Sequence, residues 1–208
     1  MINPVKLVTT DKPHAKTILM TKLVHTSTAS FLRLALLVGL LPALSGCNFS
    51  GDPGRRTPGV FIDDGVLESV IGSRIRKSDP GYKGAHLIVV SYNGVVLLAG
   101  QVATQALVDN ATTVTSDIPR VRKVHNELSV GGPISFFARS NDGWLTSKVK
   151  SRLIAAKETS GTRIKVQTEN GVVYLMGMIT RDHAERAVAV ARDVYGVQKI
   201  VKVFEYLD

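Results

Sequence analysis

One cysteine in 208 residues, Cys47, excludes an intramolecular disulfide and any cluster of thiolates around a metal. The apolar run Leu34–Leu41 is eight residues long, too short to cross a bilayer core that takes about 20 residues of helix. Beyond residue 46 the histidines are His86, His125 and His183. They are scattered along the chain, and none stands at ligand spacing from another histidine or a carboxylate. No glycine-rich phosphate loop occurs, and Ser45 has no strand before it to make a nucleophile elbow. No catalytic residue, metal site or cofactor is therefore expected. Tryptophan is also scarce: Trp144 is the single one.

Present instead is Leu44-Ser45-Gly46-Cys47 at the end of the apolar run, with Arg33 ahead of it. The run has the length of a secretory h-region, and small residues at 45 and 46 suit a peptidase cleft. The stretch resembles the lipobox of bacterial lipoproteins. That resemblance implies lipidation of the Cys47 thiol, cleavage before it, and residues 1–46 as a signal peptide. The competing reading is an inert cysteine after an ordinary membrane helix. A start at Met20 would give a more ordinary signal length. The removed segment carries five basic residues and one acidic, so the formal charge falls from +9 to +5. Export makes nucleic acid a poor partner for that charge and an anionic membrane surface a better one.

Residues 47–59 are punctuated by Gly and Pro and read as a flexible tether. Arg55 and Arg56 within it are either head-group contacts or solvated linker charges. A unit then appears twice. Asp64-Gly65-Val66-Leu67 recurs as Asp142-Gly143-Trp144-Leu145, and Asn93–Gly100 recurs as Asn170–Gly177. Two such units predict tandem small domains at 60–132 and 141–208, with 133–140 as connector. Asp64 and Asp142 are expected to cap a first helix. Its inner stripe would be Leu67, Val70, Ile71 and Ile75, or Leu145, Val149 and Leu153. The Asn-Gly pairs predict type I′ hairpins. A second helix begins near Thr104 or Thr180, and a last strand follows. Each α-β-β-α-β unit should form a three-stranded mixed sheet with both helices on one face, an α+β fold. The first helix of the first unit has more apolar residues, Val66 and Val70 included, than one small sheet covers. The second domain or another protein is expected against it, with Phe136 and Phe137 in that seam or opening the second domain.

These units resemble BON domains through Gly94 and Gly100, then Gly171, Gly177 and Gly196-Val197. The first unit has Arg120-Val121 in place of Gly-Val and one extra residue. With the lipobox, the whole is similar to the dual-BON outer-membrane lipoprotein family, the DolP-like proteins. Residues 60–132 are neutral overall, whereas 139–208 carry a net +4. Along the first helix Val66, Val70 and Gly72 give way to Trp144, Lys148 and Lys150. An aromatic beside cations suits an anionic membrane interface, and it equally suits a core cap beside a solvated face. The resemblance implies the former, with Trp144, Lys148, Val149, Lys150, Arg152, Ile154 and Lys157 as candidate contacts for anionic phospholipid such as phosphatidylglycerol. It further implies a periplasm-facing, outer-membrane lipoprotein supporting envelope integrity, near the β-barrel assembly machinery. Asn48 fits outer-membrane sorting by the family rule. The rival is an adaptor or envelope-stress protein whose BON domains bind a protein.

Overall fold

The computed structural model describes residues 55–132 and 135–208. Cys47, the signal segment and most of the tether lie outside the described residues. Two α-β-β-α-β units follow. The first comprises α1 (Pro58–Ser78), β1 (His86–Tyr92), β2 (Val95–Val102), α2 (Gln105–Ser116) and β3 (Lys123–Val130). The second comprises α3 (Phe136–Ala155), β4 (Lys165–Glu169), β5 (Val172–Ile179), α4 (Arg181–Arg192) and β6 (Lys199–Tyr206). In each, the first two strands pair antiparallel and the last lies parallel to the middle one. The helical crossover makes the parallel pair, because no tight turn can.

The first helices start earlier than Asp64 and Asp142. Thr57 caps α1 and Pro58 opens it, while Ser135 caps α3, so residues 136–140 of the expected connector are helical. The two aspartates sit inside their helices, buried, and clasp the hairpins instead. The carboxylate of Asp64 accepts the N–H groups of Asn93 (2.8 Å) and Gly94 (3.1 Å), and that of Asp142 accepts those of Asn170 (2.8 Å) and Gly171 (2.9 Å). The need arises from the turn. Both central residues have positive φ, +52° and +76° in the first hairpin and +49° and +73° in the second, as type I′ requires. The buried carboxylate supplies acceptors for two consecutive amides there. Asp64 takes two further donors, Ser91 Oγ (2.7 Å) and Arg56 Nη1 (2.9 Å). Burial alone would raise its pKa, but these four donors outweigh it and leave the carboxyl below its ordinary value. Arg56 also lies over the Tyr92 ring, 4.0 Å from its centroid. It is therefore part of the first domain, neither a loose linker charge nor free for a head group.

The turn before β3 resolves the departure at Arg120. Its φ of +78° matches the +102° of Gly196, so a non-glycine holds the same left-handed turn. The extra residue is Ala103, taken up between β2 and the Thr104 cap of α2.

Each domain has a core between its helices and its sheet. In the first, Leu67, Ile71 and Ile75 meet Val96, Leu98 and Ala111; in the second, Leu145, Val149 and Leu153 meet Val173, Leu175 and Ala187. A third cluster joins the opposite sheet faces: Val90, Tyr92, Val95, Leu97 and Ala99 against Tyr174, Met176 and Val203. The domains thus pack sheet to sheet, and their helices form the two outer layers. This overturns the expectation that the second domain covers α1. Val66 is 56% exposed, Val70 is exposed and not on the inner stripe where it was expected, and Phe136 and Phe137 stand in solvent on the first turn of α3.

Polar contacts rim this seam and recur in exchange. Tyr92 Oη donates to the Arg163 carbonyl (2.8 Å), and His86 Nε2 lies 3.2 Å from Glu169 Oε2. Tyr92 and Glu169 occupy equivalent places in the two repeats, as do His86 and Arg163. The pairing is that of a two-fold interface within one chain. Gln101 donates to Glu169 Oε1 (2.8 Å), Lys165 to Glu68 (2.6 Å), and Arg122 pairs with Glu205. Burial, with Glu127 and Glu169 nearby, pushes the Tyr174 phenol up to about 12.

Candidate functional site

Helix α3 is 20 residues long and presents a stripe to solvent because its apolar repeat, Leu145, Val149 and Leu153, is spent on the core. On the outer side Trp144, Lys148 and Arg152 follow one another at every fourth residue. With Ser147, Ser151 and Ala155 they line a shallow depression of about 490 Å³. Trp144 is 56% exposed, and Lys148 Nζ stands 4.5 Å from its ring centroid. A cation over the indole face is attracted by its negative quadrupole, which holds ring and ammonium side by side at the surface. Phe137 lies two turns before Trp144 on the same stripe and is 83% exposed; Phe136 meets it edge to face. The Ser135 cap was the sequence signal that would have put these phenylalanines on the helix.

The other candidate residues divide. Arg152 and Lys157 are exposed, and Ile154 is half-exposed on the flank of the stripe. Val149 is wholly buried in the domain core and offers nothing to the surface. Lys150 is turned away: its ammonium donates to the carbonyls of Gly161 (2.9 Å) and Ile164, stapling the loop before β4 to the helix. Burial first, and the Arg56 charge second, lower its pKa. In the first domain the equivalent carbonyl, that of Leu87, is held at 3.4 Å by Arg76. The place of Arg76 is taken by Ile154 in the second repeat. A cation has moved one turn back along the helix, and an apolar side chain has been released to the surface.

Elsewhere among the described residues no side chains converge on a chemistry. His86 is engaged with Glu169 across the seam, and His183 Nδ1 lies 3.1 Å from Ser160 Oγ. Burial and Lys123 lower the pKa of His125. Among the described residues no three His, Cys, Asp or Glu side chains are grouped to hold a metal, and no helix is long and apolar enough to cross a membrane.

The sequence profile of the BON domain matches residues 63–132 and 141–208, both repeats nearly end to end. The chain belongs to the BON-domain family. Among curated relatives it is 38% identical to "Outer membrane lipoprotein DolP" of Haemophilus influenzae, over 85% of this chain and 96% of the relative. It is likewise 38% identical to the "21 kDa hemolysin" of Actinobacillus pleuropneumoniae, over 73% of this chain and 78% of that one. "Osmotically-inducible protein Y" of Escherichia coli is 28% identical, over 72% of this chain and 75% of the relative.

Proposed function

We propose that this chain is an outer-membrane lipoprotein, anchored at Cys47 and facing the periplasm, whose second BON domain binds anionic phospholipid through the exposed stripe of α3. It performs no catalysis and supports outer-membrane integrity. The supporting observation is that Trp144 stays outside the fold with Lys148 on its ring and Arg152 a turn away. The indole would enter the interfacial layer while the cations meet phosphates, each worth about 1 kcal/mol near the surface. Phe136 and Phe137 extend the apolar contact. The anchor reading rests on Leu44-Ser45-Gly46-Cys47 and on 38% identity to a named outer-membrane lipoprotein.

The experiment is binding of residues 55–208 to phosphatidylglycerol micelles, followed by amide chemical shifts with circular dichroism as fold control. Trp144→Glu is expected to abolish binding with the fold intact. Binding at the wild-type level would overturn the lipid face. Cys47→Ser is expected to leave an unprocessed precursor at the inner membrane, and a cleaved, outer-membrane-bound variant would overturn the anchor.

A second reading concerns the first domain. Phe61, Ile62 and Val66 are all more than half exposed on α1, and the cation beside them, Arg56 at 5.4 Å from the Phe61 ring centroid, is already held by the buried Asp64. That face suits a protein, and the resemblance to DolP-like proteins points to the β-barrel assembly machinery. Photo-crosslinking from position 66 in the envelope would identify such a partner, and its absence would remove this reading.

A further inference from the structure

Helix α4 and strand β6 of the second domain leave a groove of about 340 Å³ between them. Its floor is apolar: Val188 is buried, and Val197 and Ile200 are partly buried. Its rim carries Arg192, Lys199 and Lys202 against one carboxylate, Glu185. Lys202 spans to Glu185 at 3.1 Å, whereas Arg192 and Lys199 have no ion pair among the described residues.

The same place in the first domain is bridged by side chains. There Asn126 of β3 donates to the Val108 carbonyl (2.8 Å) and to Thr112 Oγ1 (2.7 Å), stitching strand to helix. In the second repeat Thr112 is replaced by Val188 and Asn126 by Lys202, so both halves of the stitch are gone. Ser116 is replaced by Arg192, which adds a cation at the mouth. The helix-facing side of an edge strand has thus exchanged a satisfied amide for an ammonium over an apolar floor.

We propose that this groove binds a phosphate ester bearing a short apolar chain. The phosphate would lie between Arg192 and Lys199, where charge-assisted bonds to a guanidinium are strong. The alkyl portion would cover Val188, Val197 and Ile200. Lys202 would close over the ester from Glu185. The chemistry is shared by a glycerophospholipid head-group region and by a soluble phosphoester. The site lies on α4 and β6 and does not depend on the reading of α3.

The test uses the full chain in zwitterionic nanodiscs, with the methyl resonances of Val188, Val197 and Ile200 as a local readout. Hexyl phosphate, kept below its micellar concentration, is expected to shift all three saturably, and inorganic phosphate to bind more weakly. Arg192→Glu with Lys199→Glu should weaken hexyl phosphate about tenfold. A charge-matched pair on α1, Arg74→Glu with Lys77→Glu, should not. Val188→Thr with Lys202→Asn installs the first domain's stitch and should abolish the shifts of Val197 and Ile200, the two reporters it keeps, with the melting curve preserved. Nanodiscs containing phosphatidylglycerol distinguish the source. Movement of the three methyls there assigns a lipid head group, and movement with hexyl phosphate alone assigns a soluble ester. No saturable shift with hexyl phosphate, or equal shifts in the stitched variant, would overturn the site. Inorganic phosphate binding as tightly as hexyl phosphate would overturn the apolar half of the assignment. The α3 face is followed separately by Trp144 fluorescence, so either reading fails without the other.

Discussion

The two BON domains share a backbone and differ in what their side chains do with it. In the first domain polar residues are spent internally. Arg56 and Ser91 reinforce the Asp64 clasp, Arg76 holds the Leu87 carbonyl, and Asn126 sews α2 to β3. In the second, Asp142 clasps its hairpin with the two amides alone among the described residues, Lys150 does the work of Arg76, and the Asn126 stitch is absent. Outside, Trp144, Lys148 and Arg192 stand where the first domain has Val66, Val70 and Ser116, and Lys202 takes the place of Asn126. The difference teaches that the net +4 of the second repeat is not added decoration. It follows partly from freeing positions that its neighbour uses to hold itself together.

The sharpest way to break the comparison is at the clasps. Asp64→Ala strands Arg56 and two turn amides in a buried site and should cost about 3–5 kcal/mol, against about 2–3 for Asp142→Ala, read from urea midpoints. Equal losses would show that Arg56 and Ser91 contribute nothing. The folded Asp64 carboxyl titrates below its unfolded value, so its contribution is complete above about pH 4 and is lost as pH falls through the folded pKa. The turn glycines come next. A Cβ at Gly94 would lie 2.5 Å from the Arg120 carbonyl, whereas at Gly171 it would meet only the flexible Gln198 side chain, at 2.7 Å. Both have positive φ, so both alanine variants should lower the melting temperature, Gly94→Ala the more. The reverse order would mean that the Arg120 turn yields easily.

The third change should stabilise. Arg120 holds φ +78°, which costs a non-glycine residue about 1 kcal/mol, and its ion pair with Asp63 is exposed. Arg120→Gly is expected to raise the urea midpoint of the first domain slightly, and a fall would show that the Asp63 pair outweighs the strain. The smallest effect belongs to Val66→Glu. Because Val66 is 56% exposed, this variant should stay within about 0.5 kcal/mol of wild type, even though Val66 and Trp144 are equivalent positions. Unfolding would restore the expectation that something packs on α1.

The order of elements, both I′ hairpins and the starts of the second helices near Thr104 and Thr180 were legible, because each depends on residues adjacent in sequence. The starts of the first helices were not. Asp64 and Asp142 stand before apolar runs as caps do, and their true partners are some 29 residues away. The seam was written in the strands. Val95-Val96-Leu97-Leu98-Ala99 and Val172-Val173-Tyr174-Leu175-Met176 run apolar without alternation, the mark of strands buried on both faces. Trp144, Lys148 and Arg152 could be placed on one stripe from spacing alone. Lys150 could not be separated from them, because its acceptors sit on a loop whose return path no local pattern specifies.

The sheet-to-sheet seam has a consequence for what this molecule can touch. It makes the pair a coin, with α3 on one side and α1 on the other. A flat surface meets one side of a coin at a time. If the side bearing Trp144 lies down, Ile62 and Val66 look back into the aqueous space, still presentable to something else. Adsorption and recruitment then need not compete for room, and flipping the molecule would exchange one for the other.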